Sequence, residues 1–569
     1  VIVGGRIFLS AAVLLQAVGL SACAAASDLD ALFGGAASTD PLDFADFAKP
    51  AGASPTSRLM DGHLVLGGNQ AASGFEALDD ADGIADVPAN QVNTLPAMDI
   101  WLVQSGDAIV PVVRGIVNAP HPYFDLVFSP GAVWQDDSGA NRISLPFALM
   151  EKNANCIHNG VLTVRISGSG QATRALVQVA SETCGYFKFN LWGSYDAAWA
   201  YAPPLGADGV RAAYVAEVAH RLPTAPIESL AGTDADVFAQ SGTIASDNMT
   251  AFGVVHDGTH YVSGCDTRFG AYPFCDTMAL PSYSVAKSLA AGIGLMRLEK
   301  LYQGLKDGAL QRFVPQCTGS QWQDVTLEHL ADMTTGNYIS AEAHEDEGST
   351  GYLPFFLAEI SADKTDFSCR YFPRKSQPGE RWVYHTSDTY LLGVAMNGFL
   401  KSRHGGGADY YRDLVAPLWR ALHLGPLSQE IRRTSGANPE PFSGYGMLFY
   451  RDDIARIATD LAGRDARLET MLDTGLLDSA MQRDPSDSGS EAGSSTLRYN
   501  NAFWGWNAKD ALGCTGDAWL PFFSGYGGIT VVMLPGGRVY YYFSDGYNFT
   551  FSEPVKELAK VSPVCGVTE

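Results

Sequence analysis

Basic residues are scarce in this sequence. Lys and Arg number 38 against 62 Asp and Glu, a formal net charge of −24. A protein that grips the phosphate backbone of nucleic acids needs clustered cations, so that class is excluded. Charged residues of either sign reach only 18%, while hydrophobic residues make up 46% and aromatic residues 11%. Wholly disordered and coiled-coil chains carry a different balance, and 60 Gly beside 29 Pro is far from a collagen repeat. No Cys-x-x-Cys pair and no Cys/His cluster has the spacing of a zinc site, so no zinc is expected. After residue 20, no apolar run approaches the ~18 residues needed to span a bilayer. A single core is excluded as well, because 569 residues exceed the roughly 100–200 of one domain. Two or three domains are expected.

The N-terminus carries one cation, Arg6, followed by an apolar run over residues 7–20 that only Ser10 and Gln16 interrupt. The run is too short for a membrane span and has the length of a signal-peptide core. It ends in Leu20-Ser21-Ala22-Cys23, which resembles the bacterial lipobox. That resemblance implies a signal peptide over 1–22, a lipid on Cys23 and a place in the bacterial cell envelope exposed to the periplasm. Ala24 after the cysteine points to the outer membrane. The lipid would be the lasting membrane contact. Setting Cys23 aside, eight of the nine cysteines remain: Cys156, Cys184, Cys265, Cys275, Cys317, Cys369, Cys514 and Cys565. An even number in an oxidising compartment reads as disulfides. Their connectivity is open, with nearest-neighbour pairing the simplest expectation.

Residues 23–57 are rich in Ala, Ser, Gly, Asp and Pro and read as a flexible tether. From 58 to 204, short alternating segments such as 99–103, 108–113 and 160–166 are separated by Gly-, Pro- and Asn-rich turns, the pattern of a β-rich domain. It holds no catalytic constellation, so an accessory role is expected. Pro203-Pro204-Leu205-Gly206 marks the boundary to a second region, 205–569, which opens with an amphipathic stretch at 210–221. Residues 251–262 read as two strands joined at Asp257-Gly258, a strong hairpin signal. Helical patterns follow after Ser284 and over 327–333, and strands return at 529–534 and 539–543. Strands at both ends with helices between them predict an α+β domain, one antiparallel sheet flanked by helices. Residues 484–496 read as a low-complexity, mobile insertion.

The most informative segment is Pro281-Ser282-Tyr283-Ser284-Val285-Ala286-Lys287-Ser288, followed by an apolar helical run. Ser284 and Lys287 form Ser-x-x-Lys, which places both on one helix face. Burial pushes a lysine toward its neutral form, and a neutral amine beside a serine helps to deprotonate it. A second Ser-x-x-Lys, Ser361 to Lys364, sits in a polar stretch with no apolar helix behind it and is set aside.

The wording around Ser284 resembles the serine β-lactamase and penicillin-binding-protein superfamily, and within it the class C-type esterases and 6-aminohexanoate-oligomer hydrolases. Four further segments over roughly 250–551 support the resemblance in order. Residues 324–337 look like a Thr-x-x-His-Leu-Leu segment, where His329 serves structure. Pro378-Gly379-Glu380-Arg381-Trp382-Val383-Tyr384-His385-Thr386 puts Tyr384 on the catalytic tyrosine and Thr386 where many members have Asn. Arg498 to Trp506 looks like the aromatic segment that lines the cleft, with Trp504 among it. Phe522-Phe523-Ser524-Gly525-Tyr526 aligns with the Lys-Thr-Gly strand, with Phe523 in place of the cation.

What the resemblance implies is a serine hydrolase that acts through an acyl-enzyme, with no metal or organic cofactor. Ser284 is the nucleophile, and Lys287 and Tyr384 share its proton, since a tyrosine beside a cationic lysine has a lowered pKa. The amides of Ser284 and Tyr526 form the oxyanion hole. Thr386, Trp504, Phe523, Ser524 and Gly525 contact a small-molecule ester or amide. Losing the cation at Phe523 disfavours β-lactam and D-Ala-D-Ala substrates. A D,D-peptidase or β-lactamase and a non-catalytic binding lipoprotein stand as the alternatives. His344-Glu345-Asp346-Glu347 could attract a cationic group but reads more simply as a solvated acidic loop. The sequence leaves the oligomeric state open.

Overall fold

A computed structural model describes residues 29–36, 38–182, 184–240, 248 and 250–566. The signal-like segment and Cys23 lie outside the described residues. Among the described residues, no helix is long and apolar enough to cross a membrane.

The N-terminal region is built on a twelve-stranded sheet in which every pairing is antiparallel. Its long central hairpin, Asn141–Glu151 and Ile157–Ile166, pairs Leu145 with Leu162 and Met150 with Ile157. Every residue of Asn141–Glu151 is buried, because side chains that alternate along a strand here meet apolar neighbours on both faces. Ile143, Leu145, Phe147 and Leu149 enter the region's own core with Leu162 and Val164. Ala148, Met150 and Ile157 point the other way, onto Ala279, Leu427, Leu448 and Tyr450 of the second region. The sheet is thus a packed wall of the second region rather than a loosely attached module.

In the second region, Thr250–His256 and Thr259–Val262 form the hairpin, and Asp257 and Gly258 take the positive φ values, 47° and 73°, that its two-residue turn requires. These strands lie beside the last ones. The order runs Thr259–Val262, Thr250–His256, Arg538–Ser544, Ile529–Leu534, Trp519–Gly525, Phe503–Asn507 and Leu497–Asn500. The segments between supply helices, among them Ile293–Leu301, Thr386–His404 and Arg451–Ala462. Thr386–His404 is buried from its polar first turn, Thr386 to Thr389, through the apolar run that ends at Leu400. The architecture is α+β: a sheet flanked by helices and preceded by a β-rich region, antiparallel except for the edge strand Thr224–Pro226, which pairs parallel with Thr259–Val262.

Two expectations change. From Leu29 onward, the tether is part of the body. Leu32, Phe33, Leu42, Phe44 and Phe47 are buried, the Ser144 hydroxyl donates to Phe47 O at 2.6 Å, and Phe44 N–H donates to Phe269 O at 2.8 Å. Five large apolar side chains in an Ala/Ser/Gly/Asp background are enough to anchor it. The 484–496 insertion is likewise pinned, with Ser490–Glu491 pairing with Leu497–Asn500 and Asn500 Nδ2 donating to Asp487 O at 3.0 Å. The eight cysteines pair as Cys156–Cys184, Cys265–Cys275, Cys317–Cys369 and Cys514–Cys565.

Candidate active site

Ser284 follows a turn that its sequence strains. Tyr283 has φ of 38°, a conformation that costs any residue with a Cβ. The chain then enters the helical run of Lys287–Gly292 and Ile293–Leu301. At the start of that run, Lys287 is buried and its Nζ lies 3.0 Å from Ser284 Oγ, 2.8 Å from Thr386 Oγ1 and 3.1 Å from Gly444 O. Burial lowers the Lys287 pKa to about 8, against the opposing pull of Glu347.

Thr386 opens the helix Thr386–His404. Its hydroxyl donates to Glu347 Oε1, and its N–H donates to Glu347 Oε2 at 2.9 Å. A hydroxyl has one proton, so Thr386 Oγ1 can only accept from Lys287. A neutral Lys287 amine gives its two N–H bonds to Thr386 and Gly444, which aims the lone pair at Ser284. Glu347 is held above the usual carboxylate range by its enclosure, with the Lys287 charge and the Thr386 bonds opposing. Behind this chain, burial works against a charge on His385, but its ion pairs with Asp346 (3.1 Å) and Asp388 (3.7 Å) outweigh burial and raise its pKa to about 9. The 344–347 segment is therefore no solvated loop: Asp346 is buried under His385, and His344 and Glu347 line the cavity.

Tyr384 is buried beside Ser284, and Lys287 Nζ stands 4.9 Å from its ring centre. The expected lowering of its pKa is reversed. Burial first, and then Glu347, push the phenol well above its ordinary value, while its hydrogen bond with Ser284 opposes this. Tyr384 stays protonated at neutral pH and can serve as a donor, whereas Lys287 is the neighbour of Ser284 whose lowered pKa lets it accept a proton.

The strand Trp519–Gly525 runs past the nucleophile. At Gly525, a Cβ would meet Ser282 O at 2.9 Å, so only glycine permits this approach. Among the described residues, neither the Ser284 N–H nor the Tyr526 N–H has an acceptor, which leaves both free for an oxyanion. The ring of Tyr526 lies 5.6 Å from that of Tyr283. Phe523 does not contact the cleft. Residues 522 and 524 share the cavity face, so Phe523 points the other way into the core, edge-on to Phe503 at 5.3 Å. Thr386, Trp504, Ser524 and Gly525 all line the cavity.

That cavity has a volume of about 1130 Å³ and is walled by aromatic and aliphatic side chains, Phe356, Tyr445, Trp504, Trp506 and Phe551 among them. The region read as accessory supplies one side of it through Tyr123, residues 152–155 and Tyr186. Sequence reasoning missed Glu347 as a partner of the nucleophile chain and every residue of this N-terminal wall. All of them reach Ser284 from distant segments that carry no local motif. The second Ser-x-x-Lys also differs from expectation, because Lys364 is buried, donating to Phe355 O and, at 3.1 Å, to the Tyr445 hydroxyl. His329 caps its own helix: its Nδ1 accepts the Thr326 N–H, and Thr326 Oγ1 accepts the His329 N–H.

Among the described residues, Glu151, Cys156, His158 and Cys184 lie within 4.8 Å of one another with metal-ligand chemistry. Cys156 and Cys184 are spent on their disulfide. One imidazole and one carboxylate remain, fewer than a structural zinc needs.

A family model described as Beta-lactamase matches residues 250–544. Among solved structures, a Bacillus anthracis protein assigned provisionally as a 6-aminohexanoate-dimer hydrolase is 15% identical over 55% of this chain and 78% of its own, with a TM-score of 0.41. A class C beta-lactamase is 14% identical over 58% of this chain and 93% of its own, with a TM-score of 0.39. No curated protein matches the chain.

Proposed function

We propose that this chain, which belongs to the beta-lactamase family, is a serine hydrolase that cleaves uncharged esters or amides bearing a bulky apolar group. The observation that carries the reading is the 3.0 Å contact between Ser284 Oγ and the buried Nζ of Lys287. The Ser284 proton passes to the neutral Lys287 amine as Oγ bonds to the substrate carbonyl carbon. The Ser284 and Tyr526 amides receive the carbonyl oxygen as it gains charge. The carbon–leaving-group bond breaks as the leaving group takes a proton from Tyr384, and Lys287 passes the proton it took from Ser284 on to Tyr384, so that both groups return to their starting states. A water molecule then adds to the acyl carbon, gives its proton back through Lys287, and releases the acid and free Ser284.

Two features support an uncharged substrate. The cavity wall is largely apolar, and the position aligned with the family's cation is Phe523, turned into the core. The lipid anchor at Cys23 belongs to the same proposal and rests on the Leu20-Ser21-Ala22-Cys23 sequence. Metabolic labelling with palmitate, lost in Cys23→Ser, tests it.

The substrate reading is tested with a chain-length panel of nitrophenyl esters and short anilides, with nitrocefin alongside. Ester turnover that rises with acyl length and disappears in Ser284→Ala is expected. Fast nitrocefin turnover with poor ester cleavage would replace the reading with a β-lactamase or D,D-peptidase.

A further inference from the structure

The residue that fixes the nucleophile's turn comes from the other region of the chain. Asn155 is 1% exposed and sits at the tip of the hairpin formed by Asn141–Glu151 and Ile157–Ile166. Its Oδ1 accepts the N–H of Tyr283 at 2.6 Å, and the Ser282 hydroxyl lies 3.2 Å from the same oxygen. Its Nδ2 donates to Met447 O at 3.1 Å, which sets the orientation of the amide. Met447 closes the circle: its carbonyl accepts the Ser282 N–H at 2.9 Å, and its N–H donates to Ser282 Oγ at 3.0 Å. One buried carboxamide thus ties the turn before the nucleophile to the neighbouring segment at Met447.

The hairpin tip has little freedom to move. Glu151 N–H donates to Cys156 O at 3.1 Å, Cys156 is bonded to Cys184, and Arg432 Nη2 reaches across the interface to Glu151 O at 2.9 Å. Asn159 Nδ2 donates to Ala279 O at 3.0 Å just before the turn. The tip is clamped on both sides of Asn155.

From this geometry we infer that Asn155 is a positioning residue for Ser284, acting from the N-terminal region on the strained peptide before the nucleophile. Tyr283 at φ 38° relaxes toward ordinary backbone unless its buried N–H is held. Relaxation would rotate the Ser284 N–H away from the oxyanion position and Oγ away from Lys287. The inference rests on the serine-hydrolase reading, and it assigns the β-rich region a part in catalysis rather than attachment alone.

The test is a double-mutant cycle read by the rate of labelling with a small alkyl fluorophosphonate, with thermal midpoints measured in parallel. Asn155→Leu is expected to slow labelling about 100-fold, the scale of a misplaced reacting group, with half-saturation of the probe little changed. Tyr283→Gly removes the strain, since glycine takes φ near 40° freely. In that background Asn155→Leu is expected to cost less than about tenfold. General destabilisation would cost the same in both backgrounds, and that result would overturn the inference. Asn155→Asp keeps the acceptor for Tyr283 N–H and covers the case in which Asn155→Leu does not fold. It is expected within about tenfold of wild type, and a loss near 100-fold would count against the inference. A wild type that takes no label defeats the hydrolase reading itself. A labelled wild type matched by Asn155→Leu defeats only the positioning role.

Discussion

The protonation state of Lys287 makes the sharpest prediction. A lysine with a pKa of about 8 is neutral in roughly one molecule in ten at pH 7 and in about nine of ten at pH 9. If the neutral amine is the base, kcat/KM rises about tenfold across that interval and levels off above it. The sign follows from burial, which disfavours the charged form and brings the working limb down from the ordinary lysine range. Glu347 opposes that shift, so Glu347→Gln removes the charge that favours protonation and moves the limb to lower pH. The assay is kcat/KM for a nitrophenyl ester from pH 5.5 to 10, corrected for spontaneous hydrolysis, with fluorophosphonate labelling rates isolating acylation. A profile that is flat across pH 7–9, or a limb that moves to higher pH in Glu347→Gln, would refute the reasoning.

Three further outcomes follow. Tyr384→Phe keeps the ring but loses the proton donor, and it should lower kcat by about 100-fold or more with KM nearly unchanged; steady-state kinetics on the best ester checks this. Phe523→Lys restores the family's residue type at a side chain that faces the core, so it should cost at least the ~3–5 kcal/mol of emptying a buried Phe site and add no nitrocefin turnover; urea denaturation and a nitrocefin assay check both halves. Phe44→Ala should destabilise the fold by about 3–5 kcal/mol, which a freely moving tether would not permit; a shifted denaturation midpoint is the readout.

Much of the fold was legible because its signals are local. The Asp257-Gly258 turn, the paired strands at 529–544 and the apolar run behind Ser284 are each read from a few neighbouring residues. Ser284 and Lys287 meet for the same reason, being one helical turn apart. What stayed hidden comes from far along the chain. Glu347, Asn155 and Tyr186 reach the site from segments that bear no motif, and only tertiary packing brings them there. The direction of the Tyr384 shift depended on enclosure and on Glu347, neither of which a sequence displays. Phe523 was partly legible after all: period-two alternation in a strand puts 523 opposite 522 and 524, so it cannot share a cleft with Ser524. The tether misled because composition averages over residues, whereas Phe44 and Phe47 act one at a time.

The N-terminal sheet changes how the molecule is to be understood. It buries its outer face against Ala279, Leu448 and Tyr450, walls the cavity and holds the peptide before Ser284. Removing it would expose apolar strands and free the nucleophile's turn together, so the two regions are expected to work only as one body.

The central claim is that Ser284 is a nucleophile activated by its surroundings. Its most direct test is intact-protein and peptide mass spectrometry after exposure to a fluorophosphonate. A single adduct that maps to the Ser284 peptide and is absent from Ser284→Ala is the predicted result. No adduct on the folded wild type, or equal labelling of Ser284→Ala, would contradict it.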